Sequence, residues 1–308
     1  SDLKKIILQN SGDEEQSVLY KSFIFDNRGT ITGIGFEGFF SLSGVAINNN
    51  GLIDNVRIGN VSNVKNIIAN DEIYGISVNN YGTISNVSNY YNLTSKSGNA
   101  AGIVGVNQGL ITGAKNFGDI KAGNGTEIQV SDDITIKANG GDAAGIAIYN
   151  GSNDSSSPAY DENGNLLKGV TKSENSGNIT AGNGATGKDG GNAAGIVVYN
   201  YFIERYIDED EDPQINIYYG VLMSFESNRL NMGLISNTGE IIAGNGSNGG
   251  SAGLIIAVNS ITIEGNTIEG YYNNEEAEDA FYNQGGTVVL GLPNGTLFTL
   301  TIIPIPEE

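Results

Sequence analysis

Short apolar runs separated by Gly and Asn recur along this chain, and they predict β-strands joined by tight corners. The runs are rich in Ile and Val and are bounded by Gly or Asn, which is typical of strands in buried sheets. Residues 102–106 and 195–199 are examples. Amphipathic helical periodicity is almost absent from the sequence. We therefore expect an all-β chain.

Three stretches of the sequence are nearly the same. Residues 102–125 read GIVGVNQGLITGAKNFGDIKAGNG, residues 145–184 begin GIAIYN and end NSGNITAGNG, and residues 195–246 begin GIVVYN and end NTGEIIAGNG. The first glycine of this unit recurs at Gly44, Gly75, Gly102, Gly145, Gly195 and Gly253. Repeats at this period bury their apolar faces by stacking on their neighbours. We predict a single-stranded right-handed parallel β-helix, a solenoid of about six or seven coils, over residues 22–270.

Asparagine and glycine mark the predicted corners. An Asn followed by Gly, directly or after one residue, precedes an x-Ile-x strand at Asn27, Asn50, Asn80, Asn107, Asn175 and Asn237. We expect positive φ at these corners. The Asn residues are expected to stack at one corner as a hydrogen-bonded ladder. The repeated AGNG segments are interpreted as turns.

Three inserts interrupt the repeats, at about residues 126–139, 151–174 and 201–232. The first is predicted to be a hairpin that turns at residues 132–133, and the third has two apolar runs that resemble hairpin arms. All five prolines lie in inserts or near the C-terminus, as expected if the repeats form hydrogen-bonded ladders. Residues 1–21 are interpreted as a cap or a cut end, and residues 271–308 as a capping hairpin around Pro293-Asn294-Gly295.

The composition excludes several functions. The chain has 35 acidic and 15 basic residues and a net charge of −20, so nucleic acid is not an expected partner. It contains no His and no Cys, which excludes zinc chemistry and nucleophilic catalysis by Ser-His or Cys-His pairs. We predict no cofactor and no metal. No apolar run approaches the ~20 residues of a membrane-spanning helix.

The candidate binding residues are aromatic and acidic residues of the second and third inserts. Exposed Tyr offers a rigid amphipathic contact surface, and carboxylates bind sugar hydroxyls. The candidates are Tyr201, Tyr206, Asp208, Asp210, Tyr218, Tyr219 and Tyr160. The alternative is that the apolar residues only pack the hairpin on the repeats and the acidic run is a solvated tip. Residues 161–165 resemble a calcium loop but lack the spacing of an EF-hand, which favours a solvated turn.

The sequence also resembles a known class of proteins. The repeated NxGxI and AGNG segments, the AAGI strands at Ala101, Ala144 and Ala194, and the acidic, Cys-free composition are similar to the passenger of a bacterial type V autotransporter or a related secreted β-helix adhesin. This resemblance implies a protein exported to the bacterial cell surface or secreted. The present chain is then expected to be a monomeric fragment of a longer one.

Two functions follow as predictions. The first is a non-catalytic adhesin fragment, a β-helix stalk whose inserts bind a host-cell glycan or surface protein. The alternative is a polysaccharide hydrolase or lyase of the tailspike or pectinase kind, in which paired carboxylates carry the chemistry. Most carboxylates lie in variable inserts rather than on recurring strands, and Lys and Arg are few. We therefore predict no catalytic residues.

Overall fold

The computed structural model describes residues 4–8, 22–38, 44–131, 134–151, 167–207, 214–219, 235–263, 266–271, 286–291 and 297–302. Side chains are described for residues 22–37, 44–131, 134–151, 167–200 and 235–258. The regular elements in these ranges are all β-strands, and none of the described residues is helical. The prediction of an all-β chain is thereby confirmed.

The strands are named in chain order. The first eleven are β1 (Lys4–Leu8), β2 (Ile24–Asn27), β3 (Thr30–Gly38), β4 (Ala46–Asn49), β5 (Leu52–Ile58), β6 (Asn66–Ala69), β7 (Ile73–Tyr74), β8 (Ser77–Asn80), β9 (Thr83–Ser85), β10 (Ser88–Asn89) and β11 (Asn92–Ser95). The next eleven are β12 (Ala100–Ala101), β13 (Val104–Asn107), β14 (Leu110–Thr112), β15 (Lys115–Asn116), β16 (Ile120–Lys121), β17 (Glu127–Ser131), β18 (Ile134–Lys137), β19 (Ala143–Ala144), β20 (Ala147–Asn150), β21 (Gly169–Thr171) and β22 (Glu174–Asn175). The last eleven are β23 (Ile179–Thr180), β24 (Ala193–Ala194), β25 (Val197–Ile207), β26 (Gln214–Tyr219), β27 (Ser236–Asn237), β28 (Ile241–Ile242), β29 (Ala252–Gly253), β30 (Ile256–Ile263), β31 (Asn266–Tyr271), β32 (Gly286–Gly291) and β33 (Leu297–Ile302).

Four main sheets contain most of these strands. Sheet I has the order β2-β4-β8-β13-β20-β25-β30-β31, with β26 paired to β25. Sheet II has the order β21-β14-β9-β5-β10-β15-β22-β27, with β3 on β5 and β1 on β3. Sheet III has the order β33-β32-β28-β23-β16-β11-β6, and sheet IV the order β29-β24-β19-β12-β7. Strands β17 and β18 form a separate two-stranded sheet.

From β4 to β30, each repeat visits the four sheets in the same order. From β13 in sheet I the chain passes to β14 and β15 in sheet II, β16 in sheet III and β19 in sheet IV, and then returns to sheet I as β20 beside β13. The pairing between repeats is parallel and in register. Among the described strands, antiparallel pairs are limited to the hairpins β17–β18, β25–β26, β30–β31 and β32–β33. The fold is therefore all-β, with mostly parallel strands in several sheets.

Stacked aliphatic side chains form the main core. In sheet II, Ile53 pairs with Ile84, which pairs with Ile111, and all three are fully buried. In sheet III, Ile120 pairs with Ile179, and Ile179 with Ile241. Each buried Ile contributes about 1.5–3 kcal/mol to folding. The recurring Ile of the sequence motif is therefore the residue that fills the interior.

A smaller buried cluster lies on the other face of sheets I and IV. Neighbouring alanines of one strand alternate between the two clusters, because successive side chains in a strand point to opposite faces. In β19, Ala143 belongs to the main core and Ala144 to the smaller cluster. The larger side chains of this second cluster are those of Tyr74, Ile148, Val198 and Val258, and Tyr149 and Tyr199 pack against it.

Buried asparagines stack at two corners, so the predicted ladder is confirmed but is double. The first column follows sheet I and links Asn27, Asn49, Asn80, Asn107, Asn150 and Asn200 by amide hydrogen bonds of 2.7–2.9 Å. The second lies in sheet II and links Asn89, Asn116, Asn175 and Asn237 at 2.6–2.8 Å. The sequence motif had combined members of both corners, and the buried residue at its second occurrence is Asn49 rather than Asn50.

The expected positive φ at the Asn-x-Gly corners is wrong. Gly82 and Gly109 are not among the residues with positive φ. Glycine is needed there for close approach, because a Cβ on Gly109 would overlap with the carbonyl oxygen of Gly82 in the preceding repeat. The corner with left-handed backbone conformation is instead the one inside sheet II, for example between β9 and β10 or between β14 and β15. Its members are Gly33, Asn55, Asn86, Gly113 and Lys172, with φ between 49° and 67°.

The AGNG segments connect sheets III and IV and form a third stack, the glycine column. Its backbone hydrogen bonds run from Gly123 to Gly98, Gly141 to Gly123, Gly182 to Gly141, Gly191 to Gly182, Gly244 to Gly191 and Gly250 to Gly244, each at 2.8–2.9 Å. Along the column, a bond between adjacent repeats alternates with a bond between the two ends of one connection. A Cβ on Gly182 would overlap with the Gly123 carbonyl. Only glycine therefore permits this packing.

Candidate binding surfaces

The first candidate surface is an extension of sheet I. Strands β4, β8, β13 and β20 all end at the first asparagine column, whereas β25 continues to Ile207 and β30 to Ile263. These two strands stay parallel from Val197–Ile256 to Glu204–Ile263. Strand β26 pairs antiparallel with β25, and strand β31 pairs antiparallel with β30. We call the part of β25, β26, β30 and β31 beyond the asparagine column the flange.

Four of the predicted binding residues belong to strands of the flange. Tyr201 and Tyr206 are in β25, and Tyr218 and Tyr219 are in β26. The register places Tyr206 opposite Ile215 and Tyr219 opposite Ile203. The apolar runs predicted to be hairpin arms are therefore paired strands.

The remaining predicted binding residues lie outside the described residues. These are Asp208, Asp210 and Tyr160, together with the acidic loop at residues 161–165. The second insert was predicted to span residues 151–174. Strand β21 lies inside this range and β22 begins at its last residue, and both pair within sheet II. Residues 169–175 therefore belong to the repeat rather than to the insert.

The second candidate surface is the hairpin of β17 and β18. The predicted pairing of these strands is confirmed, with Ile128 opposite Ile136. Their apolar residues are exposed, namely Ile128 57%, Val130 59%, Ile134 56% and Ile136 57%. At the hairpin base, Lys137 pairs with Glu127 at 3.4 Å, and Thr186 donates its backbone N–H to Glu127 at 3.0 Å. The base is thus fixed to the next repeat while the aliphatic residues contact solvent.

Two stacked aromatic pairs form a third kind of surface. Tyr149 and Tyr199 stack across sheet I with ring centroids 4.9 Å apart, and Tyr90 and Phe117 stack at a corner of sheet II with centroids 4.6 Å apart. Sequence reasoning did not select either pair as a site. Tyr149 and Tyr199 share a position in the repeated GIxxYN run, so that signal was present. Tyr90 and Phe117 share no repeated motif beyond the preceding Asn.

A half-buried carboxylate lies beside the first of these pairs. Asp142 accepts the backbone N–H of Asn192 at 2.7 Å, and the Asn192 side chain donates to the Tyr199 hydroxyl at 2.7 Å. Burial raises the pKa of the Asp142 carboxyl, against the lowering effect of these hydrogen bonds. Burial, followed by the charge of Asp142, raises the pKa of Tyr199. At neutral pH the tyrosine is therefore a neutral hydrogen-bonding group.

Two other half-buried carboxylates behave in the opposite way. A hydrogen bond from Ser85, followed by one from Asn86, lowers the pKa of Asp54. Hydrogen bonds from Asn50 and then Arg28 lower the pKa of Asp26. Neither arrangement produces a carboxyl of raised pKa that would act as a general acid. Among the described residues, no group of three or more acidic side chains is placed to hold a metal ion.

Comparisons with known proteins add no family. The chain matches no protein-family model, and searches of curated proteins and of solved structures give no match. In the part of the chain that the structure describes, no helix is long and apolar enough to cross a membrane.

Proposed function

We propose that the chain forms one right-handed parallel β-helix and is a non-catalytic segment of a bacterial adhesin, displayed at the cell surface or secreted. The regular visit of each repeat from β4 to β30 to sheets I, II, III and IV supports the solenoid. Its resemblance to type V autotransporter passengers rests on the repeated NxGxI, AGNG and AAGI segments. In this proposal the repeats are a stiff stalk, and the inserts bind a host-cell glycan or surface protein.

The flange is the observation that carries the binding role. Long strands at the edge of a regular stack add nothing to its core columns, and β25 and β30 continue beyond the corner at which the other strands of sheet I end. Antiparallel partners on both sides hold the extension as a sheet. A sheet is a rigid base from which the Tyr-rich, acidic insert at residues 201–232 can present contacts.

Replacing the insert tests this function. A variant with a short Gly-Ser link in place of residues 201–232 is compared with the unaltered chain on a glycan array and on cultured host cells. We expect binding to be lost in the variant. The matched control replaces residues 127–137 of the other hairpin by the same link and is expected to keep binding. Binding that survives the first replacement contradicts the proposal.

The same material tests the enzyme alternative. A polysaccharide hydrolase releases reducing sugar ends, and a lyase releases unsaturated ends. Incubation of the chain with plant and bacterial polysaccharides is expected to release neither. Release of either product would overturn the non-catalytic assignment.

A further inference from the structure

The corner that follows the second asparagine column carries an aromatic stack that stops abruptly. Tyr90, Phe117, Ser176 and Thr238 occupy successive rungs of this corner, because each donates its backbone N–H to the repeat before it at 2.8–2.9 Å. The rings of Tyr90 and Phe117 stack with an interplanar angle of 17°. The next two rungs carry only small exposed side chains, Ser176 and Thr238.

Phe117 therefore has one ring face on Tyr90 and the other toward a rung without a ring. Its side chain is 41% exposed. Strand spacing in a sheet is about 4.8 Å, which lies within the range of about 4.5–7 Å between the ring centroids of aromatic pairs. A ring-shaped ligand at the level of Ser176 would continue the column at the spacing that Tyr90 and Phe117 already adopt.

Polar groups lie on both sides of this open rung. Two residues before Phe117 and Ser176, Lys115 and Glu174 form an ion pair at 3.0 Å, with side chains 42% and 45% exposed. Two residues after Phe117, the exposed Asp119 accepts the backbone N–H of Asn178 at 2.9 Å. An exposed or half-buried carboxylate thus lies two residues along the chain on each side of this corner, and carboxylate oxygens accept hydrogen bonds from hydroxyls.

A pyranose has the chemistry that this arrangement suits. Its C–H face packs on the negative face of an aromatic ring, and its equatorial hydroxyls reach polar groups around the rim. A nucleotide is disfavoured because the chain's net charge of −20 repels phosphate. We propose that Tyr90 and Phe117 form a platform on which a neutral pyranose lies over Phe117 at the level of Ser176. This inference goes beyond the proposed function, because it places a sugar contact on the repeats rather than in the insert.

Filling the open rung is the sharpest test. In Ser176→Phe the new ring takes the place of the sugar, and in Phe117→Ala the platform is removed. Saturation-transfer NMR on the full chain, with the methyl β-glycosides of glucose, galactose and N-acetylglucosamine as probes, should show transfer to sugar C–H protons in the unaltered protein. Each variant should bind the responding probe about tenfold more weakly. Melting temperatures establish that both variants are folded.

Matched controls use the corner after the first asparagine column. Tyr81→Ala removes an exposed aromatic there, and Gln108→Phe adds a ring on the rung after Tyr81, so both should leave transfer unchanged. The platform is refuted if none of the three probes shows transfer to the unaltered protein, or if folded Ser176→Phe binds as well as the unaltered protein.

The two proposals fail separately. The insert replacement at residues 201–232 should abolish array and cell binding while leaving methyl glycoside transfer intact. Loss of array binding in that variant, with no effect of Ser176→Phe on NMR transfer, retains the adhesin proposal and rejects the platform. If array binding survives the insert replacement and Ser176→Phe weakens NMR transfer, the sugar-binding platform is retained and the insert is rejected as the recognition element.

Discussion

At the level of single residues, backbone conformation decides which positions tolerate substitution. The left-handed corner of sheet II is occupied by Gly, Asn or Lys, and only Gly and Asn adopt that conformation at low cost. Lys172, with φ of 50°, is therefore the strained member of this corner. Its side chain is exposed, so the strain can be relieved without disturbing the core.

Lys172→Asn is predicted to stabilise the chain by about 0.5–1 kcal/mol, because Asn lowers the cost of the left-handed conformation. Chemical denaturation measures the change in the free energy of unfolding. Lys121→Asn is the control, since Lys121 is an exposed residue of a strand with no positive φ. It should give no stabilisation. An equal gain from both substitutions would show that loss of charge, not backbone strain, is responsible.

Asp142 predicts a pH dependence with a definite sign. Because burial raises its pKa in the folded chain, the folded state binds the proton more tightly than the unfolded state. Its stabilising contribution is therefore complete below the unfolded pKa of about 3.9 and is lost as pH rises through the folded pKa. Asp142→Asn should raise the free energy of unfolding at pH 7, and this gain should disappear toward pH 3.

Asp54→Asn is the control of opposite sign. The pKa of Asp54 is lowered by its hydrogen bonds, so its contribution is present above the unfolded pKa and is lost as pH falls through the folded pKa. The variant should be less stable than the unaltered chain at pH 7, with the difference shrinking in acid. Urea titrations from pH 3 to pH 8 measure both profiles. Parallel profiles for Asp142→Asn and the unaltered chain would contradict a raised pKa for the Asp142 carboxyl.

At the level of elements, the asparagine columns hold the corners of neighbouring repeats together. Asn107 is fully buried, accepts from Asn80 at 2.7 Å and donates to Asn150 at 2.7 Å. It also donates to the carbonyl of Gly169 at 3.2 Å. Removing a middle member therefore leaves unpaired polar groups on both sides, whereas removing an end member leaves them on one.

Asn107→Ala is predicted to cost about 3 kcal/mol, because the side-chain amides of Asn80 and Asn150 and the carbonyl of Gly169 each lose a partner. Asn27→Ala, at the end of the described column, should cost about 1 kcal/mol, because among its column neighbours only Asn49 loses a partner. Free energies of unfolding from urea titration provide the comparison. Equal costs for the two variants would show that the column is not a connected network.

The β17–β18 hairpin is predicted to tolerate polar substitution. Ile128 and Ile136 are each 57% exposed, so Ile128→Thr with Ile136→Thr should change stability by less than about 1 kcal/mol in total. Ile111→Ala, at a fully buried position, should cost about 2–5 kcal/mol. Thermal and urea unfolding measure both variants. A large loss in the double variant would show that the hairpin face is covered in solution.

At the level of the whole molecule, net charge opposes folding. Repulsion within a chain of charge −20 should weaken as salt shortens the screening length from about 30 Å at 10 mM to about 8 Å at 150 mM. The melting temperature is therefore predicted to rise over this range of NaCl. KCl should give the same rise if screening is the cause. A fall in both salts would show that attractive ion pairs outweigh the repulsion.

The regular part of the fold could be predicted from sequence because each repeat presents the same apolar and Asn positions. Ile84 and Ile111 are visible as partners from the repeated motif alone, and so is the buried Asn80–Asn107 step. The assignment of corners could not be predicted, because an Asn-x-Gly pattern occurs at two of them. The left-handed corner is occupied by different residue types in different repeats, so no sequence motif identifies it.

The candidate surfaces were less predictable for a physical reason. Contacts such as Tyr90 on Phe117 depend on lateral alignment of two repeats of unequal length, and no local pattern fixes that alignment. The flange arms were recognisable as apolar runs, but their parallel continuation into β30 joins segments far apart in sequence. Asp142 was missed because its equivalents in adjacent repeats, Asn99 and Asn192, are not ionisable.

The glycine column has a consequence for how such a chain can be elaborated. Three of its bonds join adjacent repeats and three cross a single connection, and the β17–β18 hairpin emerges between Gly123 and Gly141, whose own hydrogen bond keeps the series continuous. Additional residues can therefore be inserted into this connection while the flanking glycines keep their hydrogen bonds. Gene duplication would lengthen the array, and later insertions would diversify one margin of it, so the same framework can acquire new specificities without redesign of its interior.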